Sequence, residues 1–223
     1  MIDVPSFGDA LGGALRDTWP ALRTWLASAI AIVVLCVGGL VIVALLNPPT
    51  DGTTTKTLWE AEAMGALVVA FLAASFFALA SAVRTVRPEF RMTVGRFFGV
   101  LGYSLVASLA IVLGLICLIV PGLYLLVKIG LAPYFYLIGE PGRNPLATAW
   151  TRTRDRFWLT AAMIFVSGVI LEVLAYAAGG IVAVAALLSP FAGALAIPVA
   201  FALFLVAMQF QYNVYMRWVS VLR

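Results

Sequence analysis

From Phe97 to Ile138 the chain carries one charged residue, Lys128, in 42 positions. A helix of that length would run about 63 Å, roughly twice the hydrocarbon thickness of a bilayer. The run must therefore double back. Pro121-Gly122, near its centre, is the natural corner and divides it into spans over 97–120 and 122–138. A corner without a charged flank is expected below the lipid surface, covered by neighbouring helices, because bare backbone is costly in hydrocarbon.

Four more apolar runs cover 25–46, 61–83, 159–180 and 191–216, the last with Pro198 inside it. At 64% hydrophobic residues, 11% charged residues and a mean hydropathy of +1.08, the bilayer has to be the solvent. The predicted fold is an all-α integral membrane domain over 1–223, with six transmembrane helices plus interfacial amphipathic helices. NPPTDGTTTK, with its paired prolines, reads as an exposed loop after the first span. Ahead of that span, Leu11, Leu15 and Trp19 recur at helical spacing behind Asp9, which fits a short interfacial helix; a disordered lead-in is the alternative. The acidic opening MIDVPSFGDA lacks a basic n-region, so an uncleaved chain is expected.

The net charge of +4 does not point to nucleic acid, because the basic residues sit in short clusters between apolar runs. Six spans put twelve arginines on one side: Arg16, Arg23, Arg84, Arg87, Arg91, Arg96, Arg143, Arg152, Arg154, Arg156, Arg217 and Arg223. The opposite side receives Lys56 alone. By the positive-inside rule both termini are expected in the cytoplasm. The preference for Arg over Lys, with abundant Ala, suggests a bacterial source and so the cytoplasmic (inner) membrane.

The chain has no histidine, which removes imidazole bases, imidazole metal ligands and His-dependent triads. Cys36 and Cys117 each lie inside an apolar run with no CxxC partner, where packing is the simpler role. No nucleophile and base stand at recognisable spacing, and no cofactor or metal is expected.

Between the fourth and fifth runs, Asn144 can cap a helix with Pro145 at its first position, giving an amphipathic helix over 145–157. Leu146, Ala149, Trp150, Thr153 and Phe157 share one side; Thr148, Thr151 and Asp155 lie opposite. Such a helix is expected flat in the inner interface, with Arg143, Trp150, Arg152, Arg154, Arg156 and Trp158 as candidate lipid contacts. It can serve as a topological anchor or as a regulated lipid or partner contact.

Pro121-Gly122 before a span, Glu140 at its exit, Leu146 and Trp150, then Thr153-Arg154 and Arg156-Phe157-Trp158 resemble a family of bacterial polytopic membrane proteins. That family includes the membrane-anchor domain of some glycerophosphodiester phosphodiesterases. The likeness covers about forty residues by motif and the rest by hydropathy. Ala149 and Asp155 stand where relatives tend to place Ser and Gly. The resemblance implies a membrane fold and supplies no reaction.

Two charges fall inside spans, Lys128 in the fourth and Glu172 in the fifth. Depth along each helix brings them within reach of a lysine stem, so a buried ion pair is expected, fixing two helices or forming an ion-coupled site. Gln209 and Asn213, one turn apart in the sixth span, complete a candidate buried polar site and suit interhelical hydrogen bonding or a solute vestibule. Pro133 and Pro198 are expected to kink their spans, and Gly95 and Gly99 form a GxxxG.

Two functional readings follow. The first is a non-catalytic integral membrane module: a scaffold, accessory subunit or envelope-maintenance factor whose partners are membrane lipids and another membrane protein. The second is a small secondary transporter or channel that uses the Lys128/Glu172 pair. An intramembrane enzyme ranks behind both. Oligomeric state is open.

Overall fold

A computed structural model describes residues 7–46, 54–139 and 143–222. All regular structure there is helical: α1 (Phe7–Leu46), α2 (Thr54–Val86), α3 (Val94–Cys117), α4 (Ile119–Ile129), α5 (Ala132–Ile138), α6 (Pro145–Arg152), α7 (Phe157–Leu188) and α8 (Pro190–Leu222). Among the described residues five stretches are long and apolar enough to cross a membrane: Val68–Val86, Val94–Cys117, Ile119–Ile138, Phe157–Ala185 and Val199–Leu222. The chain is an all-α multi-pass membrane protein. The expected first span, 25–46, falls in α1, where most of its side chains lie outside the described residues. Pro48-Pro49, Glu140 and Arg223 also lie outside them.

α1, α2, α7 and α8 are longer than the apolar runs that announce them. α1 has 40 residues and absorbs the expected lead-in helix, so lead-in and span form one rod about 60 Å long. α2 starts at Thr54 rather than near Ala61. Gly179-Gly180 and Pro198 lie inside α7 and α8 without ending them.

The packed face of the first turns of α1 is marked mainly by small residues. Leu15 and Trp19 point outward, whereas Ala10, Ala14, Thr18, Ala21, Leu22 and Trp25 are buried. Small residues let α1 lie close to α2 and α8, and close packing drives helix association where lipid is as apolar as leucine. Ser81 Oγ reaches the Ala21 carbonyl at 3.1 Å across the α1/α2 contact.

α8 is the hub, packed against α1, α2, α5 and α7. The larger core gathers Ala10 and Ala14 of α1, Val83 of α2, Phe97 of α3, Leu137 of α5, Ala149 of α6, Met163 of α7 and Trp218 of α8. All of these lie next to arginine-bearing ends or connections, so those connections collect at one end of the bundle. A second cluster, Leu22, Trp25, Ala74, Ala78, Leu205 and Met208, lies further along α1, α2 and α8. α3 is the most exposed member: Leu105, Leu109, Val112, Leu113 and Ile116 are all uncovered. So long an apolar face needs lipid as its neighbour.

The reversal inside the long apolar run is displaced from its expected corner. The chain turns on Leu118, a single extended residue (φ −163°, ψ 139°), and Pro121-Gly122 sits inside the first turns of α4. Pro121 suits that place because the first turn of a helix has no partners for its N–H groups. Gly122 is required by contact: a Cβ there would lie 2.5 Å from the backbone N of Leu115. The corner is not covered by neighbouring helices as expected, since Leu118, Ile119 and Val120 are exposed, Val120 at 76%. Its backbone is instead satisfied locally. Leu118 N–H bonds the Gly114 carbonyl at 3.0 Å and Gly122 N–H bonds the Leu118 carbonyl at 3.3 Å.

Pro133 does not kink a continuous helix. α4 ends at Ile129, and Pro133 stands in the opening turn of α5 after a break at Gly130-Leu131. Gly99 leaves room for Tyr136, whose hydroxyl would lie 2.5 Å from a Cβ there, while Gly95 faces open space. The GxxxG is thus one packing glycine and one bystander.

Candidate functional site

Lys128 and Glu172 do not pair. Lys128 is 4% exposed, and its Nζ donates to the Trp150 carbonyl at 3.5 Å. Around it stand the rings of Tyr124, Trp150 and Phe157, with centroids 5.7, 5.7 and 5.8 Å from Nζ. The Trp150 carbonyl is available because its usual helical donor, Arg154 N–H, bonds Thr151 instead at 3.2 Å. A cation at the carbonyl end of a helix is favoured by the helix dipole and by the three ring faces. Lys128 therefore fastens α6 onto α4.

α6 is shorter than expected, Pro145–Arg152 rather than 145–157. Asn144 caps it as read, its side chain accepting from Leu146 N–H at 3.0 Å. Residues 153–156 form a turn and Phe157 opens α7. The helix packs on α4 and α5, with Ala149 and, just past its end, Thr153 buried. Among the expected lipid contacts, Arg143, Trp150, Arg152, Arg154 and Trp158 are exposed, Trp158 at 82%, and Arg156 is half-buried.

Glu172 lies on the outer surface of α7. Among the described residues its carboxylate has no ion pair and accepts no hydrogen bond. It lines an open apolar groove of about 450 Å³ together with Leu126, Ile164, Gly168, Val169, Tyr176 and Tyr215. Depth along the helix, the quantity used to pair the two charges, ignores rotation about it. Lys128 is turned towards α6 and Glu172 away from the bundle.

Gln209 and Asn213 are fully buried and belong to a hydrogen-bonded seam between α8 and α1. Trp25 Nε1 donates to Gln209 Oε1 at 2.8 Å, Gln209 Nε2 to Asn213 Oδ1 at 3.0 Å, Asn213 Nδ2 to Thr18 Oγ1 at 3.3 Å, and Thr18 Oγ1 to the Ala14 carbonyl at 2.8 Å. One turn further out, Arg217 Nε donates to Asp17 Oδ2 at 2.8 Å. Across the other side of α8, Trp218 Nε1 donates to Thr160 Oγ1 at 3.1 Å. Neither Trp25 nor Thr18 was singled out in the sequence, although their spacing of seven puts them on one helical face.

At the arginine end, an open groove of about 720 Å³ is lined by Val86, Arg87, Pro88, Glu89, Phe90, Arg91 and Arg96. Arg96 lies over the Phe90 ring at 4.8 Å and its Nη1 donates to the Arg91 carbonyl at 3.3 Å. Among the described residues no three Cys, Asp or Glu side chains gather to hold a metal ion. Compared with protein-family models, curated proteins and solved structures, the chain matches none.

Proposed function

We propose that this protein is a non-catalytic integral membrane module of the bacterial cytoplasmic membrane, a scaffold or accessory subunit that works through its helix faces and its arginine-rich end. Six spans, with both termini in the cytoplasm, complete this reading. It is supported by the resemblance of the 121–158 segment to a membrane-anchor family and by the arginine bias.

The observation that carries it is the way polar groups are used. No buried side-chain nitrogen or oxygen among the described residues is left without a partner. Trp25, Gln209, Asn213 and Thr18 spend their hydrogen bonds on one another, and Lys128 on α6. A permeation path needs polar groups that face a passage and exchange partners with a solute. The transporter reading loses its buried Lys128/Glu172 pair, which was its main support.

Flux measurements on the purified chain in proteoliposomes test the proposal. Ion and small-solute movement is expected at the level of protein-free vesicles, for wild type and for Lys128→Met and Glu172→Gln. Movement in wild type that either substitution abolishes, with folding intact, would overturn it. Cysteines placed at Thr54 and Arg152 are expected to react with impermeant thiol reagents from opposite faces of the cell membrane. Reaction from one face would remove the six-span topology.

A further inference from the structure

We infer that the outward face of α7 centred on Glu172 is a docking site for a transmembrane helix of another protein, one that carries a lysine or arginine at mid-depth. The inference rests on the scaffold reading and gives the partner its chemistry.

Depth comes first. Within the apolar stretch Phe157–Ala185, which at about 43 Å is longer than the hydrocarbon is thick, Glu172 stands near the middle, roughly 15 Å from either end of the hydrocarbon. Neither end is close enough for a glutamate stem to reach water. A carboxylate exposed there faces acyl chains, which offer it neither a donor nor a counter-charge.

Among the described residues nothing in the bundle answers the charge. Lys128 is held by the Trp150 carbonyl and three rings, and Gln209 and Asn213 are taken by Trp25 and Thr18. Tyr215 on the groove wall shares a hydrogen bond with Gln211 Nε2 at 3.0 Å, and Glu172 accepts none from it or from any other described residue.

Shape comes next. The α7 residues of the groove, Ile164, Phe165, Gly168, Val169, Glu172, Val173 and Tyr176, repeat every four positions and form one continuous ridge-and-hollow face. Gly168, one turn from Glu172, has nothing within 4 Å of where its Cβ would be. A glycine beside larger residues is the geometry in which two helices approach closely in lipid. Leu126 of α4 and Tyr215 of α8 also line the hollow, so a helix laid along α7 meets them as well.

Charge selects the occupant. A second copy related by a two-fold axis would set Glu172 against Glu172. No other arrangement of copies supplies a free cation at this depth: in the five described apolar stretches, Arg84, Arg96 and Arg217 stand near the ends and Lys128 is buried. A lipid can place an acyl chain in the hollow, but its headgroup stays at the surface. A foreign helix with a basic residue at its centre meets the carboxylate and fills the groove together.

The test uses the full chain, with Cys36 and Cys117 replaced by Ala and a fluorophore on Leu187→Cys, in dilute phosphatidylcholine–phosphatidylglycerol vesicles. The probes are synthetic Leu/Ala transmembrane helices carrying either Lys or Leu at the centre, and association is read by energy transfer. The Lys helix is expected to associate roughly three- to thirtyfold more tightly than the Leu helix. Glu172→Gln should erase that preference, and Glu172→Lys should transfer it to a helix with a central Glu. Thermal unfolding matching the parent shows that the variants are folded. Equal association of the two helices, or a preference that survives Glu172→Gln, overturns the inference. Glu172-dependent transfer between two labelled copies would give the face to self-association and overturn it as well. Solute flux in helix-free vesicles would defeat the scaffold reading alone, whereas a missing Lys preference in flux-silent vesicles defeats only this inference.

Discussion

Trp25 and Gln209, 184 residues apart in sequence, share a buried hydrogen bond of 2.8 Å that ties the first helix to the last. Gln209 also donates onward to Asn213 at 3.0 Å, so both its oxygen and its nitrogen are engaged. Replacing it with Leu strands the indole N–H of Trp25 and one acceptor of Asn213. Gln209→Leu is expected to destabilise the protein by about 1–2 kcal/mol in reversible unfolding in mixed micelles. A Trp25→Phe, Gln209→Leu double-mutant cycle should return a coupling of about 0.6–1.7 kcal/mol. Additivity would remove the bond from any account of stability.

Gly122 and Gly102 separate contact from conformational freedom. A Cβ at Gly122 meets the Leu115 backbone, whereas Gly102 has open space in the middle of α3. Gly122→Ala is expected to cost about 1–3 kcal/mol through forced separation of α3 and α4. Gly102→Ala is expected to be neutral or to stabilise by up to about 1 kcal/mol. The same unfolding assay reads both.

Lys128 makes a sign prediction. Lys128→Met keeps the stem among the rings and removes the charge at the carbonyl end of α6, which should loosen that helix by about 1 kcal/mol. Hydrogen exchange over 146–152 should then quicken about fivefold, with α7 and α8 unchanged. Lys128→Glu sets a negative charge against the same carbonyls and should quicken exchange further. Equal rates in both variants would show that packing alone holds α6.

Two tryptophans should differ sharply. Trp218 is buried and bonded to Thr160, while Trp158, two residues before Thr160 in the chain, is 82% exposed. Trp218→Ala is expected to cost about 3–5 kcal/mol and Trp218→Phe about 1 kcal/mol, the latter being the lost hydrogen bond. Trp158→Ala should stay within about 0.5 kcal/mol in micelles.

The apolar runs were legible because only continuous hydrophobicity lets a helix cross lipid, and five described stretches are long and apolar enough to do so, one of them broken into α4 and α5. Which side of each helix packs was not. In water, large apolar residues mark the buried face; in lipid both faces are apolar, and small residues mark it instead. Leu15 and Trp19 accordingly face outward, while Ala10, Ala14 and Thr18 carry the contact. Pro121-Gly122 misled for a related reason: the proline suits a helix's first turn as well as a corner, and the glycine answers to Leu115 across the hairpin. The Asn144 cap was readable because its logic is entirely local. Gln209 and Asn213 stood out as amides in an apolar run, but their partners needed a third dimension. The Lys128/Glu172 pairing failed because sequence distance gives height along a helix and not azimuth.

The α3/α4 corner bears on how this chain enters its membrane. From Phe97 to Val127 no side chain is charged, and the turn at Leu118 closes its own N–H and C=O onto Gly114 and Gly122. A helical pair with so little to hydrate at its tip can slide in from the arginine side as a closed hairpin, with no loop hauled across on its behalf. Its depth of immersion is then set by the arginines at its open end, as a cork is stopped by its flange.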